Sequence, residues 1–368
     1  MRPTWADINL AAIEHNIHEM QKLVSPKLFC AVVKADAYGH GAIPVARAAV
    51  DAGADWLAVA LVEEGKELRE AGLDIPILVL SEPRPSEMIE VVEFGLVPTV
   101  YSGAGIAAAS AAASSHSEIM NVHLKIDTGM RRVGAEPNFA LTLAKSISDR
   151  SSLSLEGIWT HCAVADDPSN PFTASQLRTF NEVLEECEKA GIPIKIRHAA
   201  NSALTVNNHE GHYDMVRCGI ATYGIPPTNV DLLDINLKPA LSLRSEVSFA
   251  KNILGNEGVS YGLTWKSPKP TRIATVPMGY ADGLRRNSGH FGGKVLIQGQ
   301  KLPIVGNITM DQFLVDCGNL NIQSGDEVVL IGSQGDNEIT AEDWANFLGT
   351  IPYEIICGIE SRIPRRYV

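Results

Sequence analysis

The stretch LFCAVVKADAYGHG, residues 28–41, opens with a continuous apolar run that stops at Lys34. Apolar and β-branched residues without polar alternation are typical of a strand buried on both faces, as in a parallel sheet. The sequence therefore predicts a buried strand here, and seven more runs of the same kind follow. They are WLAVA (56–60), PILVL (76–80), LVPTV (96–100), NVHLKI (121–126), LEGIWT (155–160), IKIRH (194–198) and DMVRCGI (214–220).

Amphipathic segments separate the predicted strands and have the apolar spacing of helices. The clearest of them lie at 42–52, 62–72, 103–114, 137–148 and 173–190. Strands that alternate with helices are joined by crossovers and run parallel. Eight strands over roughly two hundred residues therefore predict an α/β fold, an N-terminal (β/α)8 TIM barrel. An open, doubly wound parallel sheet is the alternative that this pattern leaves.

The pattern changes after about residue 235, where short strand-like runs are separated by Gly, Pro, Asn and Asp turns. These runs are LSLRSEVSFAKNI (241–253), TRIATVPM (271–278), KVLIQ (294–298), KLPIVG (301–306) and EVVLIG (327–332). Residues 225–239 carry the Pro and Asn signals of a linker. We therefore predict a barrel over residues 10–230 and a β-rich domain over residues 231–368.

The composition excludes several classes of function. The 368 residues carry a formal net charge of −12, which argues against a nucleic-acid or anionic membrane surface. The six cysteines show no CxxC spacing, so we expect reduced thiols, no metal site and a cytoplasmic location. The N-terminus lacks the apolar core of a signal peptide, and no apolar run is long enough to span a membrane.

Unusual polar residues follow the predicted barrel strands where the strands end, which is where barrel enzymes place their chemistry. Each has a structural reading by itself, such as a lysine that packs its stem at a strand end, or a serine that caps a helix. Together they would join a lysine, phosphate-type donors and a fixed cation, which suggests a Schiff base to pyridoxal phosphate. The set comprises Lys34, Lys125, Asp127, Arg132, His161, His198, Asn201, Ser202, Arg217, Gly219 and Ile220.

Nine motifs along the whole chain resemble those of bacterial alanine racemases, which are fold-type III pyridoxal phosphate enzymes. Several are long enough that agreement by chance is negligible. They are RPTWADINLAAIEHNI (2–17), VVKADAYGHG (32–41), KIDTGMRRVG (125–134), HAANSA (198–203), VRCGIATYG (216–224), VSYGLTW (259–265), MGYADGLRR (278–286), IVGNITMDQ (304–312) and TIPYEI (350–355). The resemblance also implies that an N-terminal strand at residues 1–9 joins the β-rich domain.

The resemblance implies a two-base racemase of alanine. Lys34 would hold pyridoxal phosphate as a Schiff base and act on the D face of the substrate Cα, with Tyr261 as the base on the L face. Two opposed bases suit racemisation, because a proton leaves one face and returns to the other. His161 would lie beside Tyr261. Arg217 would face the pyridine nitrogen, which must then stay unprotonated, because arginine only donates.

The family also supplies binding roles, a partner and a modification. The active site would be shared in a homodimer, with Tyr261 reaching the cofactor of the other subunit, and the product D-alanine would serve peptidoglycan. Lys125 would carry a carbamate that orients Arg132. The cofactor would be bound by Tyr38, Asn201, Ser202, Gly219, Ile220 and Tyr353. The substrate would meet Arg132, Met310 and Tyr280.

This chain departs from the family pattern at three positions in these motifs. Asn307 stands where the family often has Arg, Thr309 where it often has Cys or Ser, and Arg131 is an additional cation. The alternatives are a related racemase of serine or of broad specificity, and a non-catalytic pyridoxal phosphate carrier of the single-barrel type. The carrier would lack the β-rich domain that holds Tyr261.

Overall fold

The computed structural model describes residues 2–24, 27–227 and 235–368. They form two compact units. The barrel unit contains residues 11–24, 27–37, 42–227 and 235–238, and the β unit contains residues 2–10, 38–41 and 239–368. The predicted domain boundary at residues 230 and 231 lies outside the described residues.

The strands are numbered in chain order. They are β1 (Thr4–Ile8), β2 (Leu28–Val32), β3 (Trp56–Val59), β4 (Ile77–Val79), β5 (Val97–Val100), β6 (Met120–Lys125), β7 (Leu153–Trp159), β8 (Ile196–His198), β9 (Met215–Cys218), β10 (Leu241–Glu246), β11 (Phe249–Ile253), β12 (Gly258–Val259), β13 (Trp265–Lys266), β14 (Thr271–Val276), β15 (Lys294–Ile297), β16 (Gln300–Val305), β17 (Phe313–Asp316), β18 (Glu327–Gln334), β19 (Asn337–Ile339) and β20 (Arg365–Tyr367).

The α-helices are α1 (Leu10–Val24), α2 (Lys34–Gly39), α3 (Ala42–Asp51), α4 (Val62–Glu70), α5 (Met88–Glu93), α6 (Gly103–Ser115), α7 (Pro137–Ser148), α8 (Phe172–Lys189), α9 (Ser202–Asn207), α10 (Ala341–Leu348) and α11 (Pro352–Cys357). Short 3-10 turns lie at His209–His212, Ile220–Tyr223, Tyr261–Leu263, Tyr280–Asp282 and Ser288–Phe291.

Eight parallel strands, β2 to β9, form one sheet in the order β8-β7-β6-β5-β4-β3-β2-β9. The two end strands of this order also meet, because the Asp214 amide donates to the Arg197 carbonyl at 3.0 Å and the Arg217 amide donates to the Ala200 carbonyl at 2.9 Å. The sheet is thereby closed, which confirms the predicted barrel. The doubly wound open sheet is wrong, since its two edge strands would stay apart.

The barrel strands are buried as the apolar runs predict. Every residue of β3, β4 and β5 is buried, which fits strands covered by side chains inside the barrel and by helices outside it. The Ala/Ser-rich stretch forms α6, which buries Ile106, Ala109 and Ala113. Ser102 begins this helix by accepting the Gly105 amide at 2.9 Å. Small residues here let the helix backbone pack close to the barrel.

The β unit is built on a mixed sheet in the order β11-β14-β17-β16-β15-β18-β10-β1-β20. The N-terminal strand β1 pairs antiparallel with β10 and parallel with β20. The core of the β unit is apolar and includes the fully buried residues Val295, Val328 and Ile363. Helix α10 closes on this core through Trp344, whose indole donates to the Leu330 carbonyl at 2.6 Å.

Within the described ranges, no helix combines the length and the apolar character needed to cross a membrane.

Candidate active site

The barrel unit places the predicted polar residues at the carboxyl ends of its strands. Lys34 follows β2, Lys125 ends β6, and His161 follows β7. Arg217 lies within β9. These ends meet at one rim of a parallel barrel, so the side chains share one environment. His161 experiences the positive charges of Arg217, Lys125, Arg132 and Lys34 at once.

The segment after Lys34 has an uncommon backbone. Ala35, Asp36, Ala37 and Tyr38 have φ between 52° and 54°, so α2 is a left-handed turn. For L-residues this conformation costs roughly 1–2 kcal/mol per residue. The turn is held from within the barrel unit, since the Ala37 amide donates to the Val33 carbonyl at 2.9 Å. In addition, Asp36 Oδ1 accepts the Ala42 amide at 2.7 Å.

Glu64 of α4 ties this turn to the neighbouring strand end. Its Oε1 accepts the Ala35 amide at 2.6 Å, while its Oε2 accepts the amides of Ala60 and Leu61 at 2.7 and 3.1 Å. One carboxylate therefore satisfies three backbone donors from two loops. Glu64 fixes the direction in which the chain leaves Lys34.

Replacing Glu64 with Ala should loosen the turn that carries Lys34. We expect a loss of about 1–2 kcal/mol in unfolding free energy, because three backbone amides lose a charged acceptor at a partly exposed site. Denaturant unfolding measures the loss. Glu67→Ala, on the exposed side of the same helix, is the control and should change stability little. Equal stability of the two variants would contradict the role given to Glu64.

Arg217 is a buried cation held by neutral acceptors. Its guanidinium nitrogens lie 2.9 Å from the Thr160 carbonyl, 3.2 Å from the Ala199 carbonyl and 2.9 Å from His198 Nδ1. Its central carbon lies 4.5 Å from the centre of the Trp159 ring. Burial lowers the pKa of Arg217 to about 10, so it remains charged at neutral pH. No carboxylate pairs with it in the described part of the chain.

Arg217 also sets the tautomers of two buried histidines. Burial and the charge of Arg217 hold the pKa of His198 well below its usual value, so the ring is neutral. Because Arg217 can only donate, His198 Nδ1 accepts and its proton is on Nε2. That nitrogen donates to His123 Nδ1 at 2.9 Å. The barrel interior thus holds a directional chain that keeps the guanidinium in place.

Lys125 has an amine that is partly neutral near pH 7. Burial lowers its pKa to about 7, with further lowering by Arg217 and Arg132 that Asp127 offsets in part. The ammonium position is 4.2 Å from the centre of the Trp159 ring. A neutral amine is nucleophilic, whereas a protonated one is not. The lowered pKa therefore leaves part of Lys125 in the neutral, nucleophilic form near pH 7.

His161 is neutral for the same electrostatic reasons. Burial, Arg217 and Lys125 hold its pKa well below the usual value. Its Nδ1 lies 3.4 Å from an Arg217 nitrogen, and its backbone carbonyl accepts the Gln176 amide at 3.1 Å. Because Arg217 can only donate, Nδ1 accepts and Nε2 carries the proton, so the neutral ring can donate a further hydrogen bond while the surrounding cations oppose its protonation.

The predicted phosphate residues of the barrel unit form a small connected group. The Ser202 hydroxyl accepts the Gly219 amide at 2.9 Å and the Ala221 amide at 3.4 Å, so its own proton can be donated elsewhere. The Gly219 amide already has this acceptor, which limits its predicted donation to a phosphate. Asn201, rather than Ser202, caps α9, accepting the Leu204 amide at 2.9 Å. Ile220 begins the 3-10 turn that follows β9.

The β unit contains the other two predicted phosphate residues. Tyr38 and Tyr353 have ring centres 6.1 Å apart and are tilted by 46°. The segment that carries Tyr38 is anchored in this unit, because Arg365 Nε donates to the Gly39 carbonyl at 3.0 Å. The structure thus brings the two tyrosines together, which are 315 positions apart in the sequence.

The predicted substrate residues of the β unit also lie side by side. The Tyr280 amide donates to the Thr309 carbonyl at 3.0 Å, and the Ala281 amide donates to the Met310 carbonyl at 3.1 Å. Gly279 is required for this approach, since a Cβ there would lie 2.2 Å from the Met310 oxygen. Tyr261 is on a separate loop and its surface is 72% exposed.

Three residues of this site were not predicted from the sequence, namely Glu64, Trp159 and His123. His123 offered a signal, because a histidine inside the apolar run NVHLKI is unusual for a fully buried strand. Glu64 offered less, since an acidic residue in the first turn of a helix is common.

Comparisons with known proteins match the whole chain. The family described as "Alanine racemase, N-terminal domain" matches residues 8–227, and "Alanine racemase, C-terminal domain" matches residues 240–367. The chain is 44% identical to an alanine racemase of Symbiobacterium thermophilum, covering 100% of this chain and 97% of the relative. It is 41% identical to that of Halothermothrix orenii, with the same coverage. The alanine racemase structure from a D-cycloserine-producing Streptomyces lavendulae superposes with a TM-score of 0.95 at 37% identity, covering 100% and 97% of the two chains.

Proposed function

This chain belongs to the alanine racemase family, and we propose that it interconverts L-alanine and D-alanine through two opposed bases, Lys34 and Tyr261, with pyridoxal phosphate. The observation that carries this proposal is the charge of the barrel rim. Besides burial, Arg217, Arg132 and Lys34 all lower the pKa of Lys125, and Asp127 raises it in part. A positively charged rim favours the binding of anions. The phosphate of the cofactor and the carboxylate of an amino acid are both anions.

The donor set of the rim fits the cofactor. Lys34 would hold it covalently, and Ser202 would donate its hydroxyl proton to the phosphate, with Tyr38 and Tyr353 as further ligands. Asn201, Gly219 and Ile220 would shape the surrounding loops. When bound, pyridoxal phosphate withdraws electrons from the substrate and makes the Cα proton more acidic.

The chain's own groups would move the proton. Lys34 Nζ would take or return it on the D face, and the Tyr261 phenol oxygen on the L face. Burial and the positive charge of Arg217 hold the pKa of His161 well below its usual value, and because Nδ1 faces an Arg217 nitrogen, the ring proton is on Nε2 and can be donated to the phenol oxygen. Its role would therefore be to orient the phenol. The same positive charge would favour an anionic phenol oxygen that approaches it.

Arg132 would bind the substrate carboxylate, and a carbamate on Lys125 would orient Arg132. The lowered pKa of Lys125 supports this modification, because carbon dioxide reacts only with a neutral amine. Tyr280 and Met310 would narrow the space for the substrate side chain. A pocket of this kind rejects one additional methylene by roughly 1–3 kcal/mol.

Carbamate formation on Lys125 should increase as the pH rises through about 7, because its neutral fraction increases over that range. An ordinary lysine, with a pKa near 10.4, stays protonated there. Carbon-13 NMR of the protein in labelled bicarbonate measures the adduct between pH 6 and 8. Lys145→Ala should keep the signal and Lys125→Ala should abolish it. A signal that persists without Lys125 would contradict the assignment.

The proposal includes a homodimer with a shared site. Support comes from the exposure of Tyr261, because a base that is 72% open to solvent cannot exclude water in an isolated chain. A second copy that covers this loop would supply the missing enclosure.

Mixing two inactive variants tests the shared site. In a heterodimer of Lys34→Ala and Tyr261→Phe, one site would contain both wild-type bases and the other neither. Random exchange of equal amounts should therefore restore about one quarter of wild-type activity. Activity of subunits re-formed from the denatured mixture measures this recovery. No recovery, despite heterodimers detected by native mass spectrometry, would show that each chain uses its own Tyr261.

A cytoplasmic role in supplying D-alanine for peptidoglycan is the physiological part of the proposal. Five cysteines are buried free thiols, which suits a reducing compartment. Rescue of a D-alanine auxotroph by the gene would test the role. A racemase of serine or broad specificity is the alternative, and assays of alanine, serine and lysine with and without pyridoxal phosphate distinguish them. The β-rich unit disfavours a single-barrel carrier.

A further inference from the structure

The loop that carries Tyr261 has a strained backbone conformation. Ser260, Gly262 and Leu263 have φ of 60°, 75° and 45°. Glycine adopts such angles readily, whereas serine and leucine are strained by them. Within the loop the Leu263 amide donates to the Ser260 carbonyl at 3.2 Å. A strained loop of this kind persists only when its surroundings fix it.

Asn307 fixes this loop from the side. Its side-chain Nδ2 donates to the Tyr261 backbone carbonyl at 2.7 Å. The backbone carbonyl of Asn307 accepts the Ser260 hydroxyl at 2.5 Å. Only 6% of Asn307 is exposed, so water competes little for these bonds. Asn307 therefore holds residues 260 and 261, and so sets the position of the backbone from which the Tyr261 side chain extends.

His290 determines which way the Asn307 amide faces. The Tyr261 carbonyl can only accept, so the amide nitrogen must face it and Oδ1 must face the other side. There Oδ1 lies 3.1 Å from His290 Nε2, which must carry the proton. The same nitrogen lies 3.5 Å from the Thr264 hydroxyl, just beyond the strained residues. Without His290, the amide could turn over and place its oxygen against the Tyr261 carbonyl.

We propose that Asn307 and His290 are a positioning pair that sets the approach of Tyr261 to the L face of the substrate. This inference rests on the two-base function proposed above and deepens it. Neither side chain need touch the substrate, since both act through the backbone of residue 261. Asn307 is also the position at which this chain departs from the arginine that is frequent in the family.

Two measurements on the holoenzyme and its variants test the pair. Proton–deuterium exchange at Cα reports each face separately, because D-alanine can exchange through Lys34 alone whereas L-alanine requires Tyr261 first. Asn307→Ala should slow exchange from L-alanine about tenfold, which is the rate change expected from the loss of roughly one hydrogen bond. Exchange from D-alanine should stay within about twofold of the wild-type rate. Asn307→Asp should be at least as slow, since it lacks the donor. Asn252→Ala, an exposed asparagine of β11, is the control.

The second measurement does not depend on activity. Backbone amide exchange of the cofactor-free chain, followed by mass spectrometry, should be faster over residues 258–266 in Asn307→Ala and unchanged over β18. His290→Leu should reproduce both effects. His290→Gln, which keeps an N–H donor, should behave like the wild type in both measurements. If Asn307→Ala does not fold, the two His290 variants decide.

The outcomes separate the two proposals. Equal slowing from both alanine enantiomers, or an unchanged exchange rate over residues 258–266, would overturn the positioning pair. Tyr261→Phe is the reference for the face-selective effect. If Tyr261→Phe slows L-alanine selectively and Asn307→Ala does not, only the pair fails. If Tyr261→Phe shows no face selectivity, the two-base function fails, and the pair with it.

Discussion

Lys34→Ala is expected to lower racemisation on the order of 10⁴-fold in both directions, the upper range for loss of a positioned base. The same change should prevent borohydride from fixing pyridoxal phosphate to the chain. Both effects follow from the place of Lys34 after β2, where it faces a rim rich in cations. A lysine amine at the rim that would hold the cofactor is placed to form the Schiff base that borohydride reduces.

Steady-state kinetics and peptide mapping of the reduced protein measure these effects. Lys145→Ala is a matched control, because Lys145 is exposed on α7 and should neither carry the label nor affect turnover. Added methylamine should restore part of the activity of Lys34→Ala if a missing amine is the cause. A pyridoxyl label on another residue of the wild-type chain would refute the assignment.

Arg217→Glu is expected to lower racemisation on the order of 10³-fold and to produce pyruvate from alanine as a side reaction. Arg217 only donates, so a ring nitrogen that faces it must remain unprotonated and withdraws electrons weakly. A carboxylate at this position would favour a protonated ring, which stabilises negative charge at Cα for longer. A longer-lived charge gives the proton more time to add to the cofactor instead of Cα, and hydrolysis would then release pyruvate and leave the amino group on the cofactor.

A coupled pyruvate assay on each turnover and the absorption spectrum of the holoenzyme measure this change. The substitution also removes bonds to His198 and two backbone carbonyls, so stability must be compared. Arg217→Lys controls for that loss, because it keeps the positive charge and should form no pyruvate. Pyruvate from Arg217→Lys at the rate of Arg217→Glu would show that the disrupted packing, rather than the charge, is responsible.

The barrel was predictable because its strands are apolar throughout. All eight apolar runs became parallel strands, and the sequence order of the runs fixed the order in the sheet. Lys34, Lys125, His161 and Arg217 were predictable as a group for the same reason, since strand ends meet at one rim. Their charges were not, because the lowered pKa values of His161 and Lys125 depend on burial and on Arg217, which is far away in the sequence.

Other parts of the site left no local signal. The residues KADAYG are compatible with an ordinary right-handed helix, and only their tertiary surroundings, including Glu64, impose the opposite hand. The capping of α9 by Asn201 instead of Ser202 depends on one residue of register. The bond between Asn307 and His290 joins two loops that neither periodicity nor spacing relates.

The left-handed turn after Lys34 gives this stretch of backbone a preference opposite to that of the chain around it. From Ala35 to Tyr38, the φ angles are those that D-amino acids favour. D-amino acids built into this segment by chemical synthesis would adopt the left-handed helix without strain, whereas the natural L-residues are strained in it. In this member of a family that interconverts the mirror images of alanine, a short piece of mirror-image helix thus follows directly after Lys34.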